Sequence, residues 1–432
     1  MAEAAERTLV IMLAVGEASG DLHGATLCRA LRAAAPECRL VGMGGPRMRA
    51  EGMDVAIDLT GAAAVGGTEA VGRVPALVRA YRTMRAMLAA PVPPAVLVLV
   101  DFPEFNLRLA AAARRAGVPV VYFIPPQIWA WRPWRIRAIR RLTSLVLAVF
   151  PFEHALYRAA GVRVEFVGHP VLDALAGAPT REQARGDLGL DGTGPVIGVL
   201  PGSRREEVER LLPAMCEAAA RVAAAHPDAR FVLALAPTIE RATVDRLVAG
   251  ARARIEVVAG RTHAVVRAAD LLLIASGTAT LEAALLGTPM VVCYRLSWLS
   301  DTIARLLIRV PWMSLANITL GRSVVPELYR DTSGESLATA ALRLLDTPGA
   351  LQAQRDAFAE LSGQLGAPGV GDRAARLILS VAVGHAKRTT GHRATVDAVP
   401  PGASGPIRGH HVQSKRTSQL PTIAADRDPR NR

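Results

Sequence analysis

The chain has few cysteines, no long apolar run and no acidic surplus. Its four cysteines in 432 residues (Cys28, Cys38, Cys216 and Cys293) lie far apart, without metal or redox spacing. Reduced thiols in a cytoplasmic setting are expected rather than a disulfide framework. No window offers the ~18 consecutive apolar residues of a membrane span. Glu3 and Glu6 precede the first apolar run and no basic stretch does, so no secretory signal is read there. Basic residues outnumber acidic ones 51 to 38, a net charge of +13. Residues 386–432 contribute nine Lys/Arg against three Asp, are rich in Pro, Gly, Ser and Thr, and carry no apolar period. They read as a disordered basic tail. The remaining surplus fits an anionic ligand, an anionic membrane surface or nucleic acid. It also fits an arginine- and alanine-rich composition with no functional meaning.

The apolar content is high, at 51% of residues. Much of it is alanine, and the rest falls into short Val/Leu/Ile runs separated by stretches of helical period. Strands are expected at 9–15, 39–43, 95–100, 119–124, 144–149 and 163–167, and again at 196–200, 230–235, 255–258, 271–274 and 290–294. Helices are expected between them, for example at 25–35, 107–116, 204–225 and 280–286, and a long one at 351–383. That alternation predicts an α/β fold with parallel, doubly wound sheets. The number of strands and the chain length favour two domains over one. They are placed at 1–170 and 171–350, with the last helix returning to the first domain.

Ligands of open α/β sheets bind at the carboxyl ends of strands, so the strand-to-helix turns carry the functional reading. The first turn is Gly16-Glu17-Ala18-Ser19-Gly20-Asp21. It is either a ligand loop with two carboxylates or a tight turn whose Asp21 caps the next helix. It is not the dinucleotide fingerprint G-x-G-x-x-G. Asp101 ends the third predicted strand, where a carboxylate suits a general base; Asn106 nearby orients a sugar or caps a helix. In the second half, Gly202, Ser203 and Arg204 open a helix after a strand, an arrangement that suits a diphosphate. The lysine of a P-loop is missing there. The other reading is a capping box of Ser203 and Glu206. Ser276, Gly277, Thr278 and Glu282 form a similar junction, where Glu282 can accept from a ribose diol or simply stabilise the helix start. Three of the five tryptophans, Trp129, Trp131 and Trp134, are interleaved with Arg132, Arg135, Arg137, Arg140 and Arg141. This suits lipid headgroups or an anionic sugar, or a surface helix with core tryptophans. Residues 65–71 open an apolar and basic segment that could touch a membrane. His169, beside Pro170, reads as a substrate contact or a structural residue.

Taken together, the segments GEASGD (16–21), DFPEFN (101–106), PPQIWAWR (125–132), FVGHPVLD (166–173), LPGSR (200–204), SGTATLEAAL (276–285) and the run 314–327 resemble the lipid-A-disaccharide synthase family of glycosyltransferases. The resemblance implies a GT-B fold, two Rossmann-like domains facing a cleft. It implies inverting transfer of 2,3-diacylglucosamine from UDP-2,3-diacylglucosamine to 2,3-diacylglucosamine 1-phosphate (lipid X), releasing UDP. It also implies no metal or other cofactor, a peripheral position on the anionic inner face of the inner membrane, and no nucleic acid partner. On the matching positions, Asp101 is the candidate base, with Glu17 as the lesser candidate. Glu17 and Ser19 face the reacting sugar, Arg204 holds the diphosphate, Glu282 the ribose, and Asn317 lies in a substrate loop. Trp129, Trp131 and Arg132 fall to the membrane or acceptor side. Two positions depart from the family pattern: Ala316 stands where a proline is usual, and Glu104 where an aspartate is. The competing readings are a UDP-N-acetylglucosamine 2-epimerase or an undecaprenyl-linked GlcNAc transferase of the same fold. Of a different class is a nucleic-acid-binding protein, suggested by the pI near 10.7.

Overall fold

The computed structural model describes residues 8–60, 74–129, 133–294, 312–329 and 331–396. The segment 65–71, Trp131, Arg132 and the tail beyond 396 lie outside the described residues.

Seven parallel strands form the first sheet: β1 (Val10–Val15), β2 (Arg39–Met43), β3 (Asp54–Ile57), β4 (Val96–Val100), β5 (Val120–Phe123), β6 (Leu145–Ala148) and β7 (Val164–Phe166), in the order β3-β2-β1-β4-β5-β6-β7. Six form the second: β8 (Val196–Leu200), β9 (Arg230–Leu235), β10 (Ile255–Ala259), β11 (Leu271–Ala275), β12 (Met290–Cys293) and β13 (Glu327–Leu328), in the order β10-β9-β8-β11-β12-β13. Helices cover both faces, so the central strands are apolar throughout rather than alternating. All five residues of β4 and of β8 are buried. Each such Val or Leu contributes about 1.5–3 kcal/mol by leaving water. The order reverses between β1 and β4 and between β8 and β11. A crevice opens at each reversal.

Two strands escaped the sequence reading. β3 is an edge strand with no buried residue and a leading Asp54, and β13 is only two residues long. The long C-terminal helix is two helices, Ala350–Gln364 and Val370–Val396, broken at Gly366, Pro368 and Gly369, the two glycines at φ 91° and 88°. The second of these runs past residue 386, where the tail was expected to begin. Glutamine 354 on the first piece bonds Met290 of β12, so that piece stays on the second sheet. The second piece returns to the first: a Cβ on its Gly371 would lie 3.2 Å from Thr26. Its Ala374, Ala375 and Ile378 share a core with Ile11, Leu27 and Leu31.

The chain passes between the sheets twice, and the two passages are bonded to each other. Asp173 accepts from the backbone N–H of Gly369, Val370 and Gly371 at 2.6, 3.2 and 2.9 Å, capping the returning helix. Arg373 Nε donates to the Val167 carbonyl, and the N–H of His169 donates to that of Leu365.

Candidate active site

Glu17 follows β1 and Asp101 follows β4, so the two carboxyls share the crevice of the first sheet. Glu17 is the N-cap of the helix Ala18–Ala34 but makes no capping bond, which leaves its carboxylate uncommitted. Asp101 and Phe102 both have left-handed backbone, at φ 46° and 47°, and Ile124 at the end of β5 has φ 56°. Non-glycine residues hold that conformation at a cost of order 1–3 kcal/mol, and such strain gathers at functional sites. The surroundings over-determine it here. The Asp101 carbonyl accepts from Tyr122 Oη at 2.8 Å and from Asn106 Nδ2 at 2.7 Å. Gly16 makes room for the turned Phe102: a Cβ at position 16 would sit 2.3 Å from the ring. Burial, and then the charge of Glu17, push the Asp101 carboxyl up to about 6.

In the second sheet two helices start at the carboxyl ends of β8 and β11, the strands that flank its own crevice. The helix Arg205–Ala225 begins after β8 with Arg204 as N-cap and no side-chain cap, so its first N–H groups are free for an anion. Gly202 has φ 119°, and a Cβ there would meet Glu207 at 2.7 Å. The Arg204 side chain is 65% exposed and rests on Glu207 at 3.0 Å. The helix Thr278–Leu285 begins after β11 with exposed Gly277 and Thr278, and Glu282 stands 3.1 Å from His263 Nε2. His23, on the helix after β1, lies edge-on to His169 at 6.4 Å. Burial pushes His23 down to about 4 while the charge of Glu282 pulls the other way. The charge of Glu282, on the second sheet's side, thus acts on His23, on the first sheet's side. Among the described residues no group of three or more His, Cys, Asp or Glu is placed to hold a metal ion.

A family model described as lipid-A-disaccharide synthetase matches residues 11–363. The chain is 43% identical over 373 residues to a lipid-A-disaccharide synthase of Anaeromyxobacter dehalogenans, covering 86% of this chain and 97% of that one. It is 40% identical over 372 residues to that of Geobacter sulfurreducens, with the same shares covered. The chain belongs to the lipid-A-disaccharide synthase family. Among solved structures it is similar to a putative UDP-N-acetylglucosamine 2-epimerase of Listeria monocytogenes (TM-score 0.59, 18% identity, 88% of this chain and 97% of that one). It is also similar to Acinetobacter baumannii MurG (TM-score 0.52, 14% identity, 86% and 99%). These likenesses place the synthase in the GT-B fold.

Within the synthase, several expected contacts turn inward. Asp21 does not cap its own helix. It is 3% exposed and accepts from the N–H of Gly45, Arg47 and Met48, capping the next helix, Pro46–Ala50. Asn106 is fully buried, and its amide faces the carbonyls of Ala14, Val100 and Asp101, so it supports Asp101 rather than touching sugar. Asn317 is also fully buried. It receives the N–H of Val324 and Val325 and donates to Glu327, which ties the 313–327 loop together. Ser203 is not a cap; its carbonyl accepts from Thr238. Ser276 gives its hydroxyl to the Met313 carbonyl, while Ser19 is exposed. Trp129 is half-buried and bonds Glu153, so its polar edge is directed into the domain and not toward lipid. His169 is 6% exposed, and its Nδ1 accepts from the Val171 N–H at 3.3 Å. Glu104, the residue that departs from the family pattern, is exposed and paired with Arg135. His23 was missed; the available signal was its i+4 spacing from Ser19 on one helix face.

Proposed function

We propose that the enzyme moves 2,3-diacylglucosamine from UDP-2,3-diacylglucosamine onto the 6-hydroxyl of lipid X by one inverting displacement, with Asp101 as the base. The observation that carries the assignment is Asp101 itself, strained, pinned and held near pH 6 at the β1/β4 crevice. Its carboxylate takes the hydroxyl proton as the acceptor oxygen bonds to the anomeric carbon. The bond from that carbon to the diphosphate breaks, and UDP leaves with the electron pair. Free N–H groups at Arg205 and the Arg204 guanidinium, which exchanges Glu207 for phosphate, meet the developing charge. Glu282 holds the ribose, and Glu17 orients the sugar and tunes Asp101.

Acceptor and product are lipids, and an exposed basic face supports a peripheral seat on the inner leaflet of the inner membrane. Trp134 is 61% exposed, and Arg137, Arg140 and Arg141 on the helix Arg135–Leu142 are exposed beside it. No described helix is long and apolar enough to cross a membrane. The test is to incubate the full chain with both substrates in detergent. Disaccharide 1-phosphate and UDP should appear in equal amounts, and the protein should sediment with anionic vesicles at low salt. Epimerised UDP-sugar without an acceptor, or no product, refutes the assignment; sedimentation unchanged by salt refutes the basic-face docking.

A further inference from the structure

The carboxyl edge of the first sheet carries a third acid. Glu153 follows β6, in the first turn of the helix Pro151–Ala159, and is 1% exposed. Its Oε1 accepts from Trp129 Nε1 at 2.9 Å, and its Oε2 is buried with no hydrogen-bond partner. No ion pair holds it among the described residues.

The same helix grips the same loop a second time. Tyr157 Oη donates to the Pro126 carbonyl at 2.9 Å. The Trp129 ring stands edge-on to Phe152 at 5.1 Å; Phe152 stacks on Phe150 at 5.3 Å, and Phe150 lies 4.9 Å from His169. The loop so held leaves β5, the strand next to β4, and Tyr122 of β5 supports the Asp101 carbonyl. The loop Pro125–Trp129 is thus the lateral neighbour of Asp101 on the carboxyl edge, and the helix Pro151–Ala159 anchors it from the far side.

We propose that Glu153 is a positioning residue of the transfer site: by anchoring Trp129 it fixes the Pro125–Trp129 loop as the wall beside Asp101 that holds the acceptor sugar. This rests on Asp101 as the base. Glu153 does this work with its proton on. Burial pushes it up to about 8, the Asp101 charge acts in the same direction, and the N–H groups of Trp129, Phe150 and Val149 act against both. Tyr157, on its own helix, stays protonated because burial and Glu153 both raise it. An ionised Glu153 would put an unpaired charge inside the domain and a second negative charge near Asp101, so the wall is sound below about pH 8 and yields above it.

Three variants of the full-length enzyme test this. E153A and Trp129→Phe remove the anchor from opposite sides. Both should raise the acceptor KM, by on the order of ten- to a hundredfold for a wall displaced by about an ångström, with little change in the KM for the UDP-sugar. E153Q keeps an acceptor for Trp129 and cannot ionise. It should recover most of what E153A loses at pH 7 and lose the alkaline fall in kcat/KM near pH 8. In 15N-labelled wild-type enzyme, the Trp129 indole N–H resonance, assigned by its absence from W129F, should titrate between pH 7 and 9 and stay fixed in E153Q. A folded E153A or W129F with wild-type acceptor KM overturns the proposal, and so does an indole resonance that does not titrate. If Asp101→Asn keeps full turnover while the anchor variants still raise the acceptor KM, the base assignment fails and the anchor stands.

Discussion

Replacing Asp101 by asparagine isolates the chemistry from the scaffold. What the structure grips at this position is the backbone carbonyl, through Tyr122 and Asn106, and asparagine leaves both bonds in place. A positioned general base contributes about 10²–10⁴ in rate, so kcat should fall by that factor. Affinity for UDP, measured by calorimetry, should not change, because the proposed diphosphate site at Arg204 lies on the second sheet. The wild-type pH profile carries the same information. With Asp101 raised to about 6, roughly nine-tenths of it is ionised at pH 7 and about a tenth at pH 5, so kcat/KM should drop about tenfold between them. Glu17→Gln removes a neighbouring negative charge and should move this acid limb to lower pH. Stability moves the opposite way. The folded-state value lies above that of a free carboxyl, so ionising Asp101 costs the folded state increasingly from about pH 4 to about 6. D101N should therefore melt above the wild type at pH 7 and level with it below pH 4. Near-normal turnover in D101N, or a flat wild-type profile from pH 5 to 7, would remove Asp101 from the base role.

Two scaffold variants probe how the strained turn is held. Gly16→Ala would drive a methyl into the Phe102 ring, where a Cβ has only 2.3 Å. Overpacking of this kind costs about 1–3 kcal/mol, and the displaced turn should lower kcat as well; an unchanged urea midpoint contradicts this. Asn106→Ala strips a donor from the buried carbonyls of Ala14 and Val100 and from the partly buried carbonyl of Asp101, at a cost of about 1–3 kcal/mol. Neither substrate KM should rise in assays well below its melting temperature, whereas a raised KM without loss of stability would return Asn106 to the substrate.

Strands were legible where both faces are buried, since runs such as Val96–Val100 have no other use. Two of the four edge strands were not: half-exposed Asp54–Ile57 carries too little apolar signal and Glu327–Leu328 is too short, whereas the edge strands β7 and β10 were expected at 163–167 and 255–258. The break at Gly366-Ala367-Pro368-Gly369 was readable from its turn residues, but alanine-rich periodicity on either side masked it. The loops of the candidate site were legible as strand-to-helix turns, since a carboxylate after a buried strand stands out. The direction of each side chain was not. Asp21, Asn106 and Asn317 look alike in sequence whether they meet a ligand or cap a neighbour, and their partners lie up to 92 residues away. Glu153 gave no sequence signal, because what singles it out is burial and a bond from a tryptophan 24 positions earlier.

The returning C-terminal helix has a consequence for biosynthesis. Ala374, Ala375 and Ile378 close the core that Ile11 and Leu27 begin, so the first domain is discontinuous in the chain. A ribosome releases the first sheet long before it makes the helix that seals it, whereas the second domain is continuous and can finish earlier. Vectorial synthesis usually lets N-terminal domains fold first. In this enzyme the core that Ile11 and Leu27 begin is closed last, by the final helix.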